Sequence, residues 1–399
     1  MSSKSLEAYL DRQLNALKEQ GVYRHLPVVA GAQGPKAIVN GKEVVNLASN
    51  NYLGLATHPK LKDAAIAAIE KYGAGSGAVR TIVGTLDLHE ELEQKLAQFK
   101  GVEAALVFQS GFTANAGVLG VILEEGDLVI SDELNHASII DGIRLTKAAR
   151  AIYKHRDMDD LAKVLLGSRG QYKKILIVTD GVFSMDGDIA PLDTIAELAK
   201  QYDAITMVDD AHGSGVLGDH GRGTVSHYHI PHDRWDITVG TLSKAVGVLG
   251  GYVACSRKLR ELMEHRARPF LFSTSHPPAV TAAVIAAIDI MQSNEGERLM
   301  QTMWANTAFF KAGLKALGFD TGISQTPITP VIIGDEARAM QFSDALFENG
   351  VFATGIAFPT VARGKARVRT IVTATHTRED LQSALDAFAA AGRKLGVIA

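Results

Sequence analysis

Between residues 104 and 240, short apolar runs alternate with helix-length stretches, and this rhythm restricts the chain more than any other feature. The runs are 104–108, 128–131, 175–179, 205–208 and 237–240, and helical spacing fills 89–99, 113–123 and 192–201. A strand that is apolar at every position is buried on both faces, which helices crossing over a parallel sheet achieve. The reading is α/β: a large domain on a mainly parallel sheet of seven-stranded type. From about residue 290 longer helices take over, then the runs 328–333 and 366–372 follow, predicting a smaller C-terminal α+β domain. Residues 1–20 space Leu6, Leu10, Leu14 and Leu17 as an amphipathic helix. The expected division is 1–45 for the N-terminal helix and a short segment, 46–290 for the large domain and 291–399 for the small one.

Composition removes several function classes. A formal net charge of -3 on 399 residues gives no field that favours nucleic acid or a membrane surface. The longest apolar stretch, 279–291, contains Asp289 and is too short to span a bilayer. The N-terminus lacks the apolar core of a signal peptide. Cys255 is the single cysteine, so no intrachain disulfide forms. A cytoplasmic location is expected.

In open α/β sheets ligands sit beyond the carboxyl ends of the strands, so the loops after the runs carry the chemistry. After 104–108 comes Gln109-Ser110-Gly111-Phe112-Thr113, opening a helix. A helix start offers free N–H groups to phosphate, although Ser110 as a simple cap explains it equally well. After 128–131 comes Asn135-His136-Ala137-Ser138, where a lone histidine is more often structural. The loop 180–188 is acidic and glycine-bearing but lacks calcium-loop spacing, so a metal is discounted. After 205–208 comes Asp209-Asp210-Ala211-His212. Carboxylates at the end of a buried strand are costly unless a positive group meets them. After 237–240 comes Thr241-Leu242-Ser243-Lys244-Ala245, and a lysine in such a small-residue segment has little packing use. A buried amine loses basicity and becomes a nucleophile. Lysine, aspartate, a phosphate cradle and a flat stacking partner together point to pyridoxal phosphate.

The ordered set Ser110-Gly111-Phe112, Asn135-His136-Ala137-Ser138, Asp209-Asp210-Ala211-His212 and Thr241-Leu242-Ser243-Lys244 resembles the α-oxoamine synthases, fold-type-I pyridoxal-phosphate enzymes. The resemblance runs from Asn46 through Arg369. It implies that Lys244 holds the cofactor as a Schiff base and moves the Cα proton. Asp209 pairs with the pyridine nitrogen, His212 and Ser184 meet the ring oxygen, and His136 stacks on the ring. Ser110, Gly111, Phe112 and Thr241 hold the phosphate. Ser273 and Thr274 reach the partner subunit's phosphate, which implies a homodimer with shared sites. Arg369 grips the amino-acid carboxylate, with Asn50 and Thr360 near substrate.

The implied reaction joins glycine or L-alanine to an acyl-CoA. Relatives that use succinyl-CoA flank an arginine with threonine and asparagine, whereas Val79 and Thr81 flank Arg80 here. The segments 180–187, 268–278 and 358–361 look most like glycine C-acetyltransferase, so glycine with acetyl-CoA is expected. The alternatives are L-alanine with pimeloyl-CoA, a decarboxylating step of biotin synthesis, and a promiscuous synthase. A dinucleotide-binding dehydrogenase fits poorly, because Gly73–Gly77 follows a helical segment and lacks G-x-G-x-x-G spacing. An aminotransferase would more often carry an aromatic residue in place of His136. A non-catalytic binding module would leave Asp209 and Lys244 without a use.

Overall fold

The computed structural model describes residues 3–19, 23 and 25–399. Among them, seven strands form the central sheet. Their spatial order is Ala104–Phe108, Gly251–Cys255, Ile237–Thr241, Ile205–Asp209, Ile175–Asp180, Leu128–Asp132, Ala149–Tyr153. Pairing is parallel throughout except at Gly251–Cys255, which runs antiparallel to both neighbours. The expected α/β fold with a large, mostly parallel sheet is the observed one.

Alternation along each strand builds two cores. Leu106 and Phe108 pack on one face with Val118, Leu119 and Val239. Ala105 and Val107 pack on the other with Leu92, Tyr252 and Ile288. Burying one such large side chain contributes roughly 1.5–3 kcal/mol, so a one-residue slip would reverse every placement. The helices Asp87–Lys100, Gly111–Ile122, Leu192–Tyr202 and Pro278–Met291 cover these faces.

Four expected runs extend by one polar residue, and these residues are what the fold delivers to the site edge. Asp132, Asp180, Asp209 and Thr241 each end a strand, and all four are buried. Two strands of the central sheet escaped the sequence reading. Ala149–Tyr153 lies at the sheet edge with most of its residues exposed, so it lacks a continuous apolar signature. Gly251–Cys255 begins inside the glycine-rich tail that follows Lys244.

The C-terminal sheet is antiparallel, in the order Ile328–Gly334, Ala366–Ile371, Thr354–Ile356. Phe310, Phe319, Phe342 and Phe388 fill its core with ring centroids 5.6–5.9 Å apart. The N-terminal segment joins this lobe. Strand Lys42–Asn46 pairs in parallel with Val351–Phe352, and Val45 and Leu47 enter the phenylalanine core. The strands Val29–Ala30, Lys36–Val39 and Lys42–Asn46 thus share a sheet with Val351–Phe352 of the C-terminal domain. The N-terminal helix spans Lys4–Glu19 and buries none of its residues in its own chain; residues 1, 2 and 20 of the expected helix lie outside the described residues. No helix among the described residues is long and apolar enough to cross a membrane.

Candidate active site

A cavity of ≈ 210 Å³ opens at the carboxyl ends of the central strands. Ser110, Gly111, Phe112, His136, Ser184, Asp209, His212, Thr241 and Lys244 all line it, joined by Ser138, Asp180, Val182, Ala211 and Ser243. Residues that lie more than a hundred positions apart converge because successive parallel strands deliver their ends to one edge.

At the floor, Asp180 and Asp209 are register partners on adjacent strands. The Asp209 carboxylate accepts from Asn115 Nδ2 at 2.6 Å and from the Ala211 N–H at 3.0 Å. Asp180 accepts from the His136 N–H at 3.0 Å. Burial, reinforced by the Asp209 charge beside it, pushes the Asp180 carboxyl well above the usual range. Burial lowers the Lys244 amine to about 8, although Asp209 and Asp180 pull it upward. A tenth of such amines are neutral at pH 7, on the order of 10²-fold more than for an exposed lysine.

Both histidines are held by neighbours and held neutral. Ser138 N–H donates to His136 Nδ1 at 3.2 Å, so that nitrogen is an acceptor. Ser138 Oγ, 2.7 Å from the same nitrogen, then donates to it while accepting from Asn115 Nδ2 at 2.9 Å. One amide therefore orients both the Asp209 carboxylate and, through Ser138, the His136 ring. Burial depresses His136, and it depresses His212 further, with the Lys244, Arg369 and His136 charges adding to the effect. His212 Nδ1 lies 2.7 Å from the Tyr52 hydroxyl, whose own ionisation burial pushes upward.

At the other end, helix Gly111–Ile122 starts under a Ser110 cap that accepts from the Thr113 N–H at 3.1 Å. Its first residues, Gly111 and Phe112, line the cavity together with Thr241. Gly251 lets the helix start so close to the sheet, since a Cβ there would lie 2.4 Å from the Ser110 carbonyl. Arg369 does not line the cavity but is tied to it: its Nη1 donates to the carbonyl of Ser184, which does, at 3.1 Å, and Lys244 and His212 both feel its charge.

The other expected residues do not line the cavity within this chain. Ser273 and Thr274 sit in a surface segment, with the Thr274 carbonyl accepting from Gln109 at 2.7 Å. Thr360 is exposed, and Asn50 is half-buried with its Oδ1 unpaired among the described residues. Arg80 turns away from the cavity into a buried pair with Glu93, at 2.7 and 3.1 Å. The sequence reading assigned no role to Asn115, Ser138, Asp180 or Tyr52. A buried asparagine in the otherwise apolar helix Gly111–Ile122 was the available signal for the first.

The donor set fits pyridoxal phosphate. It has a weakly basic amine, a carboxylate fixed by two donors, a flat imidazole and a helix N-terminus, all on one cavity. A mainly parallel sheet that gathers those groups defines a fold-type-I pyridoxal-phosphate enzyme.

Comparison with known proteins narrows the class. Residues 42–388 match the family described as aminotransferase class I and II. The 8-amino-7-oxononanoate synthase of Symbiobacterium thermophilum is 64% identical over 394 residues, covering 99% of this chain and 100% of that one. The same-named protein of Thermoanaerobacter pseudethanolicus is 60% identical over 390 residues, covering 98% of each. A solved structure of SPT with a pyridoxal-phosphate internal aldimine superposes with a TM-score of 0.93 at 33% identity, over 100% of each chain. The serine palmitoyltransferase of Sphingomonas wittichii gives a TM-score of 0.93 at 32% identity, again over 100% of each chain. The chain belongs to the aminotransferase class I and II family, as a pyridoxal-phosphate-dependent α-oxoamine synthase.

These relatives correct the expected substrates. Glycine C-acetyltransferase was expected, whereas the highly identical curated relatives are named 8-amino-7-oxononanoate synthase. The physical reason lies in the segments behind the expectation. Segments 268–278 and 358–361 give no residue to the cavity, and 180–187 gives only Asp180, Val182 and Ser184. Within one chain these segments therefore place little against the cavity that could distinguish one acyl donor from another.

Proposed function

We propose that this chain condenses L-alanine with a pimeloyl thioester, the 8-amino-7-oxononanoate synthase reaction. A bond forms between the alanine Cα and the acyl carbon, the thioester C–S bond breaks, and the alanine carboxylate leaves as carbon dioxide. The observation that carries the reading is 64% identity across 99% of the chain to a protein of that name.

In this reading, bound pyridoxal phosphate supplies an electron sink for charge developing at Cα. Lys244 Nζ anchors it and takes the Cα proton, a task suited to an amine near pKa 8. Asp209, held by Asn115 and Ala211, faces the ring nitrogen. His212 and Ser184 face the ring oxygen, with Tyr52 fixing the His212 ring. His136 stacks on the ring face. Ser110, Gly111, Phe112 and Thr241 hold the phosphate. Arg369 grips the alanine carboxylate with the donors that Ser184 leaves free, and Asn50 and Thr360 approach the substrate. The enzyme works as a homodimer, with Ser273 and Thr274 reaching the partner's phosphate. Support for this comes from surface that one chain leaves uncovered: Ile82 and Phe272 are 79% and 71% exposed, and helix Lys4–Glu19 buries nothing.

Thiol release with a panel of donors tests the substrates. L-Alanine with pimeloyl-CoA, or with pimeloyl on a carrier protein, is expected to exceed glycine with acetyl-CoA at least about tenfold in kcat/KM. The reverse order would overturn the assignment.

Cofactor capture by the apoenzyme carries a pH signature. Only the neutral amine reacts, so the capture rate should climb about 50-fold between pH 6 and pH 8 and level off above pH 9. Stopped-flow absorbance reads this directly. A rate still rising tenfold per unit between pH 9 and pH 10 would mean that Lys244 is an ordinary lysine.

A further inference from the structure

His155 lies outside the cavity, yet it joins the two loops that furnish it. Its Nδ1 is 3.0 Å from Asp132 Oδ1 and its Nε2 is 2.9 Å from Asp188 Oδ2. Both carboxylates are buried, with 1% and 0% of their side-chain surface exposed. Ionised carboxylates only accept, so both ring nitrogens must donate, and that requires the imidazolium. The same neighbours raise its pKa to about 9 against the opposing effect of burial.

Each of the two aspartates belongs to one loop. Asp132 ends its strand and accepts from the Leu134 and Arg156 N–H groups at 2.9 and 3.0 Å, shaping the turn that leads into His136. Asp188 closes the loop 181–189, where its carbonyl accepts from the Phe183 N–H at 3.0 Å. The Phe183 ring stands edge-on to His155 with centroids 4.3 Å apart. That loop is also the seat of the C-terminal lobe. Its Ser184 carbonyl holds Arg369, Met185 and Asp186 hold Arg367, and the Gly187 carbonyl accepts from Thr326 Oγ1 at 2.9 Å. Gly187 has φ +74°, and a Cβ there would strike the Ile328 carbonyl at 2.3 Å, so the seat is tight.

We infer that His155 is a positioning residue, a cationic strut between Asp132 and Asp188 that fixes His136 and the Ser184–Arg369 contact in register for the amino-acid substrate. The other charged or titratable groups around it are Arg156, whose Nη1 is 3.2 Å from Asp188, Glu133, which takes the His155 N–H at 2.8 Å, Tyr153 and Asp180. Asp132 and Asp188 raise the folded-state pKa above the unfolded value near 6.5, so the strut's stabilisation is complete below that value and is lost as pH rises through about 9. The link to substrate rests on the reading of Arg369 as the carboxylate grip.

Three measurements on the full-length holoenzyme test this. In His155→Gln, amide exchange read by mass spectrometry should quicken about tenfold or more in 132–136 and 181–189 and nowhere else. Unchanged exchange, or a uniform rise over the chain, overturns the strut. The KM for L-alanine should rise about tenfold with kcat changed less than threefold and the KM for the thioester unmoved, since small misplacements of a gripping group act on binding of its own substrate. Propionate, which has the carboxylate but no amine to titrate, should lose inhibitory potency through about pH 9 in the wild type. In Asp188→Asn that loss should move to lower pH. A flat wild-type profile overturns the strut even if His155→Gln fails to fold. If Arg369→Ala leaves propionate inhibition unchanged, the grip reading fails instead, while the exchange experiment still judges the strut alone.

Discussion

Lys244→Ala protein is expected to show no visible cofactor band and to turn over at least about 10³-fold more slowly than the wild type. Removing a positioned general base alone costs roughly 10²–10⁴-fold, and the lost covalent anchor adds to that. Lys244 is the single amine lining the cavity among the described residues, so no neighbour replaces it. Lys244→Arg should fail as well, because a guanidinium neither deprotonates nor forms the covalent link. The fold should survive both changes. Burial lowers the Lys244 pKa to about 8, below its unfolded value, so at neutral pH the folded chain carries a poorly solvated ammonium. That penalty applies below pH 8 and fades as pH rises above it. Apo Lys244→Ala should therefore unfold no earlier than wild type in urea at pH 7. An active Lys244→Ala enzyme with an intact band would remove the assignment altogether.

Asp209→Asn is the second large effect. The amide has the shape of the carboxylate, but Asn115 donates to Oδ2 at 2.6 Å and the Ala211 N–H to Oδ1 at 3.0 Å, so its single oxygen keeps only one of the two donors. What it lacks is the negative charge that would keep the cofactor's ring nitrogen protonated. Electrostatic groups of this kind are worth roughly 10²–10³ in kcat, and a loss of that size with the cofactor still bound is the expected outcome. The charge also raises Lys244, so its removal should move the midpoint of cofactor capture to lower pH. Activity within tenfold of wild type, or an unmoved midpoint, would place the charge elsewhere, with Asp180 next in line on the adjacent strand.

The overturned expectation of glycine and acetyl-CoA has an instructive origin. It leaned on segments most of whose residues do not line the cavity of their own chain. Arg80 shows the same separation. It stands in a segment compared with acyl-binding relatives, yet its guanidinium is committed to Glu93, which Arg260 also grips at 3.0 Å.

The sequence by itself determined the layered sheet and the residues at its carboxyl edge. Strands buried on both faces must be apolar throughout, so a polar residue closing such a run marks a strand end, as Asp209 and Thr241 do. The glycine and serine signals at 109–113 and the lysine at 244 were legible for the same local reason. Only the tertiary structure decided how those ends are held. Asn115 reaches Asp209 across 94 positions and Tyr52 reaches His212 across 160, and no spacing rule relates residues whose meeting depends on how helices cross the sheet. The edge strand Ala149–Tyr153 stayed hidden because exposure leaves it no apolar signature. His155, two residues beyond that strand, carries no signal in the sequence, and only the fold sets a buried carboxylate against each of its ring nitrogens.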